Sequence, residues 1–214
     1  MFALSLITLN ANSLLKDLPN SRGELGYGLC NQIRNNASIF CFTDSRVDSK
    51  KEYALNTELS KGASFGRANM KTRVFTTTNK ESDNRRFQFA GVTTIFSEKL
   101  DAAFEFINWH PDNNLRPRFG IAIAKLTHGP RILIASIYGK ASGPESHKAS
   151  TFNKLNRKLK ELKTAYGITL TFLSGDFNQN LDSLSLSKKQ ATEALYLLLS
   201  DHCLVDSFRL CHPD

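Results

Sequence analysis

The chain has 214 residues, 41% of them hydrophobic and 22% charged, which is the composition of an ordinary globular domain and excludes a disordered or low-complexity protein. No apolar run is long enough for a transmembrane helix, and four dispersed cysteines without Cys-x-x-Cys spacing make reduced thiols the expectation and zinc the weaker reading. The formal net charge of +8 comes from dispersed basic residues, a field that suits a phosphate-rich partner and also serves solubility.

Phe2 to Leu9 is apolar without a basic leader or small-residue cleavage site, so it is expected to be a first strand rather than a signal peptide. A nuclear or cytoplasmic location, not secretion, follows as the expectation. Leu25, Leu29 and Ile33 recur every fourth residue and suggest a helix weakened by Gly23, Gly26 and Gly28. Ser38 to Thr43 is a short, fully apolar strand, and 44–69 is a long polar loop with one helical turn. Strands are then expected at Arg73–Thr78, Phe89–Phe96, Phe104–Trp109, Phe119–Leu126 and Arg131–Tyr138, the last two joined by a hairpin at His128-Gly129-Pro130. His147 to Ala165 has Phe152, Leu155, Leu159 and Leu162 on one face and Lys154, Arg157, Lys158, Lys160 and Lys163 around the rest, an amphipathic helix. A strand at Ile168–Leu173, a helix at Lys188–Leu199 and a short strand at Leu204–Phe208 complete the series. Strands interleaved with helices suggest an α/β fold of two packed, mostly antiparallel sheets with helices outside, formed by one domain over residues 1–214.

Polar clusters close four of these strands. Asn10-Ala11-Asn12 follows the first, Asp44 the second, Tyr138-Gly139 the strand from Arg131, and Ser174-Gly175-Asp176-Phe177-Asn178 the strand from Ile168. Period-two alternation puts Asp176 and Asn178 on one side, where an acid and an amide orient a water or a metal-bound ligand; a polar turn accounts for the same residues. Gly175 allows close approach of a substrate or tight packing. If the four strand ends are neighbours, two carboxylates, three amides and a phenol converge. Such hard oxygen donors suit magnesium or manganese and phosphodiester chemistry.

Thr8-Leu9-Asn10-Ala11-Asn12, Phe40-Cys41-Phe42-Thr43-Asp44, Gly91-Val92-Thr93-Thr94-Ile95, Ile137-Tyr138-Gly139, Ser174-Gly175-Asp176-Phe177-Asn178 and Leu204-Val205-Asp206-Ser207-Phe208-Arg209 occur in an order that resembles the endonuclease/exonuclease/phosphatase superfamily. Within it the chain looks most like the apurinic-type endonuclease domains of non-long-terminal-repeat retrotransposons. The resemblance implies a four-layer α/β sandwich that hydrolyses phosphodiesters with Mg²⁺ or Mn²⁺ and nicks DNA, encoded with a reverse transcriptase outside this chain. It implies that Asn10 holds the network and the phosphate, Asp44 binds the metal, and Tyr138 donates to the developing phosphate charge. Asp176 would orient or deprotonate the attacking water, and Asn178 would position that water. Asn12, Arg85 and Arg86 are the candidate substrate-binding residues, although a turn cap and a solvated charge pair describe them as well.

Aspartate at position 44 departs from the family's glutamate and is one methylene shorter. The resemblance also implies that the family's last strands and terminal Ser-Asp-His are missing after Asp214. Ser200-Asp201-His202 repeats that tripeptide but falls at the end of a helix, where a histidine near the carbonyl end is the expected reading. His110, His128 and His147 are expected in solvated loops, and Trp109 as a half-buried strand anchor rather than a base-stacking platform. Two alternatives stay open: a phosphatase of lipid or inositol phosphates, and a non-catalytic remnant that binds nucleic acid.

Overall fold

A computed structural model describes residues 5–11, 33, 38–47, 52–53, 55, 72–77, 90–113, 117–179, 181 and 190–206. The strands are β1 (Ser5–Asn10), β2 (Ser38–Thr43), β3 (Arg73–Thr76), β4 (Val92–Phe96), β5 (Phe104–Pro111), β6 (Phe119–Leu126), β7 (Arg131–Tyr138) and β8 (Leu170–Asp176). The helices described over their full length are α1 (Glu145–Tyr166) and α2 (Gln190–Asp201), with a 3-10 segment at Glu98–Ala103; Ile33, Glu52, Tyr53 and Leu55 are also helical. One sheet runs β1-β2-β4-β3 and the other β5-β6-β7-β8. Among the described residues only β1–β2 and β7–β8 are parallel; the other pairs are antiparallel. This is the expected α/β sandwich.

Three apolar layers hold it together, each traceable to strand alternation. Between the sheets, Ile39 and Cys41 of β2 and Phe96 of β4 meet Ala122, Ala124, Ile132 and Ile134 of the second sheet. Outside the second sheet, Ile121, Ile123, Leu133, Ala135 and Ile137 take up Phe152, Leu155, Leu159 and Leu162 of α1 and Leu195 and Leu198 of α2. Outside the first sheet, Phe40, Phe42 and Ile95 pack on Ile33 and Leu55, both helical. Helix, sheet, sheet and helix make the four layers.

Several boundaries moved. Gly167 ends α1 in the left-handed conformation, φ 59°, and Ile168 N–H bonds Lys163 O, so Ile168 belongs to the helix end and not to β8. At the other end β8 runs past Gly175 to Asp176. There Gly175 adopts φ 138°, and an added Cβ would stand 2.0 Å from the Ile137 carbonyl oxygen. The glycine serves tight packing of β8 on β7 and does not stop the strand. No strand forms at Leu204–Asp206: Leu204 N–H returns to Leu199 O and Val205 is exposed. His110 lies in β5, not in a loop, with its ring 5.7 Å from Tyr166. The hairpin at His128–Pro130 forms as expected, closed by Gly129 N–H to Leu126 O at 3.2 Å.

Trp109 fastens the two sheets at the end of β5. Its indole N–H donates to Thr76 O at 3.0 Å, its ring stacks on Phe75 at 5.6 Å, and Gly120 leaves room for it. A Cβ on Gly120 would lie 2.2 Å from the indole. We expect Gly120→Ala to cost about 1–3 kcal/mol through overpacking and to lower Tm by about 2–4 °C for each of them, measured by thermal melting. An unchanged Tm would show that the indole is not wedged there.

Candidate active site

The two parallel pairs end at the same rim. In β1–β2 the register pairs Asn10 with Thr43, immediately before Asp44; in β7–β8 it pairs Tyr138 with Asp176. Asn10 Nδ2 donates to Asp176 Oδ2 at 3.2 Å, a bond from one sheet to the other. Asp176 Oδ1 accepts the Asn178 backbone N–H at 3.0 Å, and Asn178 Nδ2 donates to Gly139 O at 3.0 Å. Asn178 sits at φ 49°, a left-handed conformation that asparagine tolerates. Gly139 N–H in turn donates to Asp176 O at 2.7 Å, and a Cβ at position 139 would meet Phe177 O at 1.9 Å. The β7 and β8 ends are therefore locked backbone to backbone. Asn10, Asp44, Tyr138, Asp176 and Asn178 lie at this rim, whereas Asn12, Arg85 and Arg86 lie outside the described residues.

Beneath the rim, one pleat down, the inter-sheet space is polar. Thr8 and Ser174 share a hydroxyl–hydroxyl hydrogen bond, Thr94 and Ser136 another at 2.9 Å, and the Cys41 thiol faces Ser136, Ser174 and Thr94. Burial pushes the Cys41 thiol up, so it stays protonated as a small core group. Each of Thr8, Ser136 and Ser174 stands two residues before a rim residue, on the same strand face. No sequence motif announced this layer, although the two-residue offset from Asn10, Tyr138 and Asp176 was there to be noticed.

Burial is the main cause that raises the Tyr138 phenol, and the nearby Asp44 and Asp176 carboxylates add to it against Arg118 and Arg46. The phenol therefore keeps its proton and remains a donor. Arg118 places its guanidinium 5.3 Å from the centre of that ring, a cation–π contact, while Tyr138 N–H donates to Arg118 O at 2.7 Å. Nothing in the sequence pattern marks Arg118 among the dispersed basic residues.

Asp44 is 5% exposed, and its carboxylate is bound at both oxygens. Arg46 Nε donates to Oδ1 at 3.1 Å and Nη2 to Oδ2 at 2.7 Å, a bidentate ion pair. That hydrogen bond raises the guanidinium above its ordinary value, so it stays charged. The oxygen donors of the rim suit a hard divalent ion in kind, but they do not fit one as arranged. Among the described residues no three His, Cys, Asp or Glu side chains converge, and an ion at Asp44 would have to displace Arg46.

No protein-family model matches the sequence, and no curated protein does. Solved structures do match in fold. The human Nocturnin catalytic domain with bound sulfate anion superposes with a TM-score of 0.53 at 15% identity, over 81% of this chain and 60% of that one. ANGEL2, a 2′,3′-cyclic phosphatase, superposes with a TM-score of 0.51 at 11% identity, over 82% of this chain and 52% of that one. The likeness is one of fold alone, and the chain spans less than two thirds of either structure's chain.

Two features stand apart from the rim. A groove of about 570 Å³ between α1 and α2, lined by Asn153, Arg157, Gln190 and Glu193, belongs to the helical layer. The Ser200-Asp201-His202 tripeptide lies at the end of α2. Asn156 of α1 donates Nδ2 to Asp201 Oδ2 at 2.7 Å and offers Oδ1 to His202 Nε2 at 2.9 Å, and Lys160 pairs with Asp201 at 2.6 Å. The tripeptide therefore joins the two helices. His202 lies at the end of α2 as expected, and it is buried; burial, then Lys163, lowers its pKa and favours the neutral ring. Burial, then Lys158, lowers His110 as well.

A histidine depressed in the folded state is fully stabilising above its unfolded pKa of about 6.5 and loses that contribution as pH falls through the folded value. We expect Tm to drop between pH 7.5 and pH 5 and His202→Gln, whose amide can still reach Asn156 Oδ1, to reduce the drop. Equal pH slopes for the two proteins would remove His202 from the account.

Proposed function

We propose that the rim binds and hydrolyses a phosphodiester and that DNA is its substrate. The observation that supports this most is the Asn10–Asp176–Asn178 array with the Tyr138 phenol in register beside it. Asp176 has one bond on each oxygen, which fixes the carboxylate plane and leaves further lone pairs to orient a water and take its proton. Asn10 and Asn178 hold that carboxylate from opposite sides, one from the facing sheet and one from its own strand end. Tyr138, kept protonated by its surroundings, donates to a phosphate oxygen as charge builds there. Arg118 behind the ring adds fixed positive charge, and Arg46 offsets the Asp44 carboxylate. The net charge of +8 favours a polyanionic substrate over a small neutral ester. Nicking of DNA as in retrotransposon target-site cleavage is the specific form that the sequence resemblance suggests. No step is assigned to Mg²⁺ or Mn²⁺, because Asp44 is committed to Arg46.

The Asp44–Arg46 pair also favours a second reading, a domain that holds nucleic acid without cutting it. Nicking of supercoiled plasmid separates the two, run with Mg²⁺ and with chelator. We expect Asp176→Ala to reduce nicking by about 10²–10⁴-fold and Tyr138→Phe by about 10²–10³-fold, with DNA affinity little changed in both. Salt-sensitive DNA binding with no nicking under either condition would establish the binding reading instead.

A further inference from the structure

The ion pair at the end of β2 carries an inference of its own, which rests on the phosphodiester reading of the rim but is tested apart from it. We propose that Arg46 is the resident cation of this site: its guanidinium fills the place at Asp44 where a divalent ion was expected, and the rim takes a phosphate group by fixed charge without a bound metal.

Three observations support it. Both Asp44 oxygens accept from one planar guanidinium, at 3.1 and 2.7 Å, the fork geometry that matches a carboxylate best. The Asp44 side chain is 7% exposed and that of Arg46 22%, so water does not screen the pair as it screens surface ion pairs. The backbone is shaped for the pair. Asp44 and Arg46 both adopt φ 50°, and between them Ser45 N–H is anchored to Gly91 O at 3.1 Å. The left-handed conformation costs about 1–2 kcal/mol per residue, and it folds the chain so that residue 46 returns to residue 44.

The chemistry follows from charge. A lone aspartate at this rim would repel a phosphodiester, and a metal ion normally reverses that repulsion. Arg46 neutralises Asp44 from within the chain, and a guanidinium is a group that suits phosphate oxygens as it suits carboxylate oxygens. Tyr138 lies within the electrostatic reach of Asp44, Arg46, Asp176 and Arg118, so all four charges act on one small region.

The test uses Mn²⁺ and inorganic phosphate as probes with the full chain. Mn²⁺ binding is read from the free-ion paramagnetic resonance signal, and phosphate binding by calorimetry in chelator. We expect the native protein and Asp44→Asn to give the same weak Mn²⁺ isotherm, because Asp44 is not available to the ion. Arg46→Gln, checked for folding by thermal melting, should bind Mn²⁺ at least about tenfold more tightly, and Arg46→Gln with Asp44→Asn should lose that gain. Phosphate should bind in chelator, more tightly in Asp44→Asn, where the guanidinium is released, and more weakly in Arg46→Gln. A saturable Mn²⁺ site in the native protein that Asp44→Asn removes would overturn the inference, as would phosphate binding that requires Mn²⁺. The Asp44→Asn comparison keeps Arg46 and so stands even if Arg46→Gln does not fold. A protein that follows the expected isotherms but leaves plasmid intact would retain the inference and lose the hydrolytic reading.

Discussion

The close backbone contact between the ends of β7 and β8 is the constraint on which the site depends. At Gly175 a methyl group would press on the Ile137 carbonyl at 2.0 Å, and at Gly139 on the Phe177 carbonyl at 1.9 Å. Two glycines on adjacent strands remove both obstacles, so β8 can stay paired with β7 up to Asp176. Without that contact Asp176 would not lie opposite Tyr138, and Asn178 would have no Gly139 carbonyl to hold. The other half of the rim arrives by the same device, since β1 and β2 are also parallel and end together.

The space between the sheets changes character along the strands. Its lower part is packed with Ile39, Phe96, Ile132 and Ile134. One step before the rim it turns to hydroxyls and a thiol, and at the rim to amides, carboxylates and a phenol. A buried hydroxyl left without a partner costs about 1–3 kcal/mol, so the Thr8–Ser174 and Thr94–Ser136 pairs make that transition tolerable. They also fix the spacing of the two sheets directly below Asn10 and Asp176. Charge at the rim is balanced within the protein by the Asp44–Arg46 pair, with Arg118 over Tyr138.

Much of this was legible in the sequence. Phe119–Leu126 and Arg131–Tyr138 match the expected strands residue for residue, because both are apolar runs bounded by a strong turn. The amphipathic pattern of α1 placed its buried face correctly at Phe152, Leu155, Leu159 and Leu162. The rim residues could be named because each follows a strand, and strand ends are where polar groups can be aimed at a common point. The errors have physical causes too. The strand from Ile168 was ended at Leu173, short of the polar residues, whereas close packing of Gly175 on Ile137 lets β8 run on to Asp176. His110 was assigned to a solvated loop from its neighbours in sequence, and a partner distant in the chain, Tyr166, decided otherwise.

The sequence by itself determined the strand and helix pattern, the acid and amide at the end of β8, and the phenol at the end of β7. These are local properties, fixed by alternation, apolar runs and turn residues. Only the tertiary structure decided that Asn10 reaches Asp176 across the sandwich and that Thr8 meets Ser174, 166 residues away in the chain. It alone decided that Arg46 turns back onto Asp44. A sequence shows which residues carry charge, but which carboxylate a guanidinium neutralises depends on backbone angles at Asp44 and Arg46 that no residue pattern specifies.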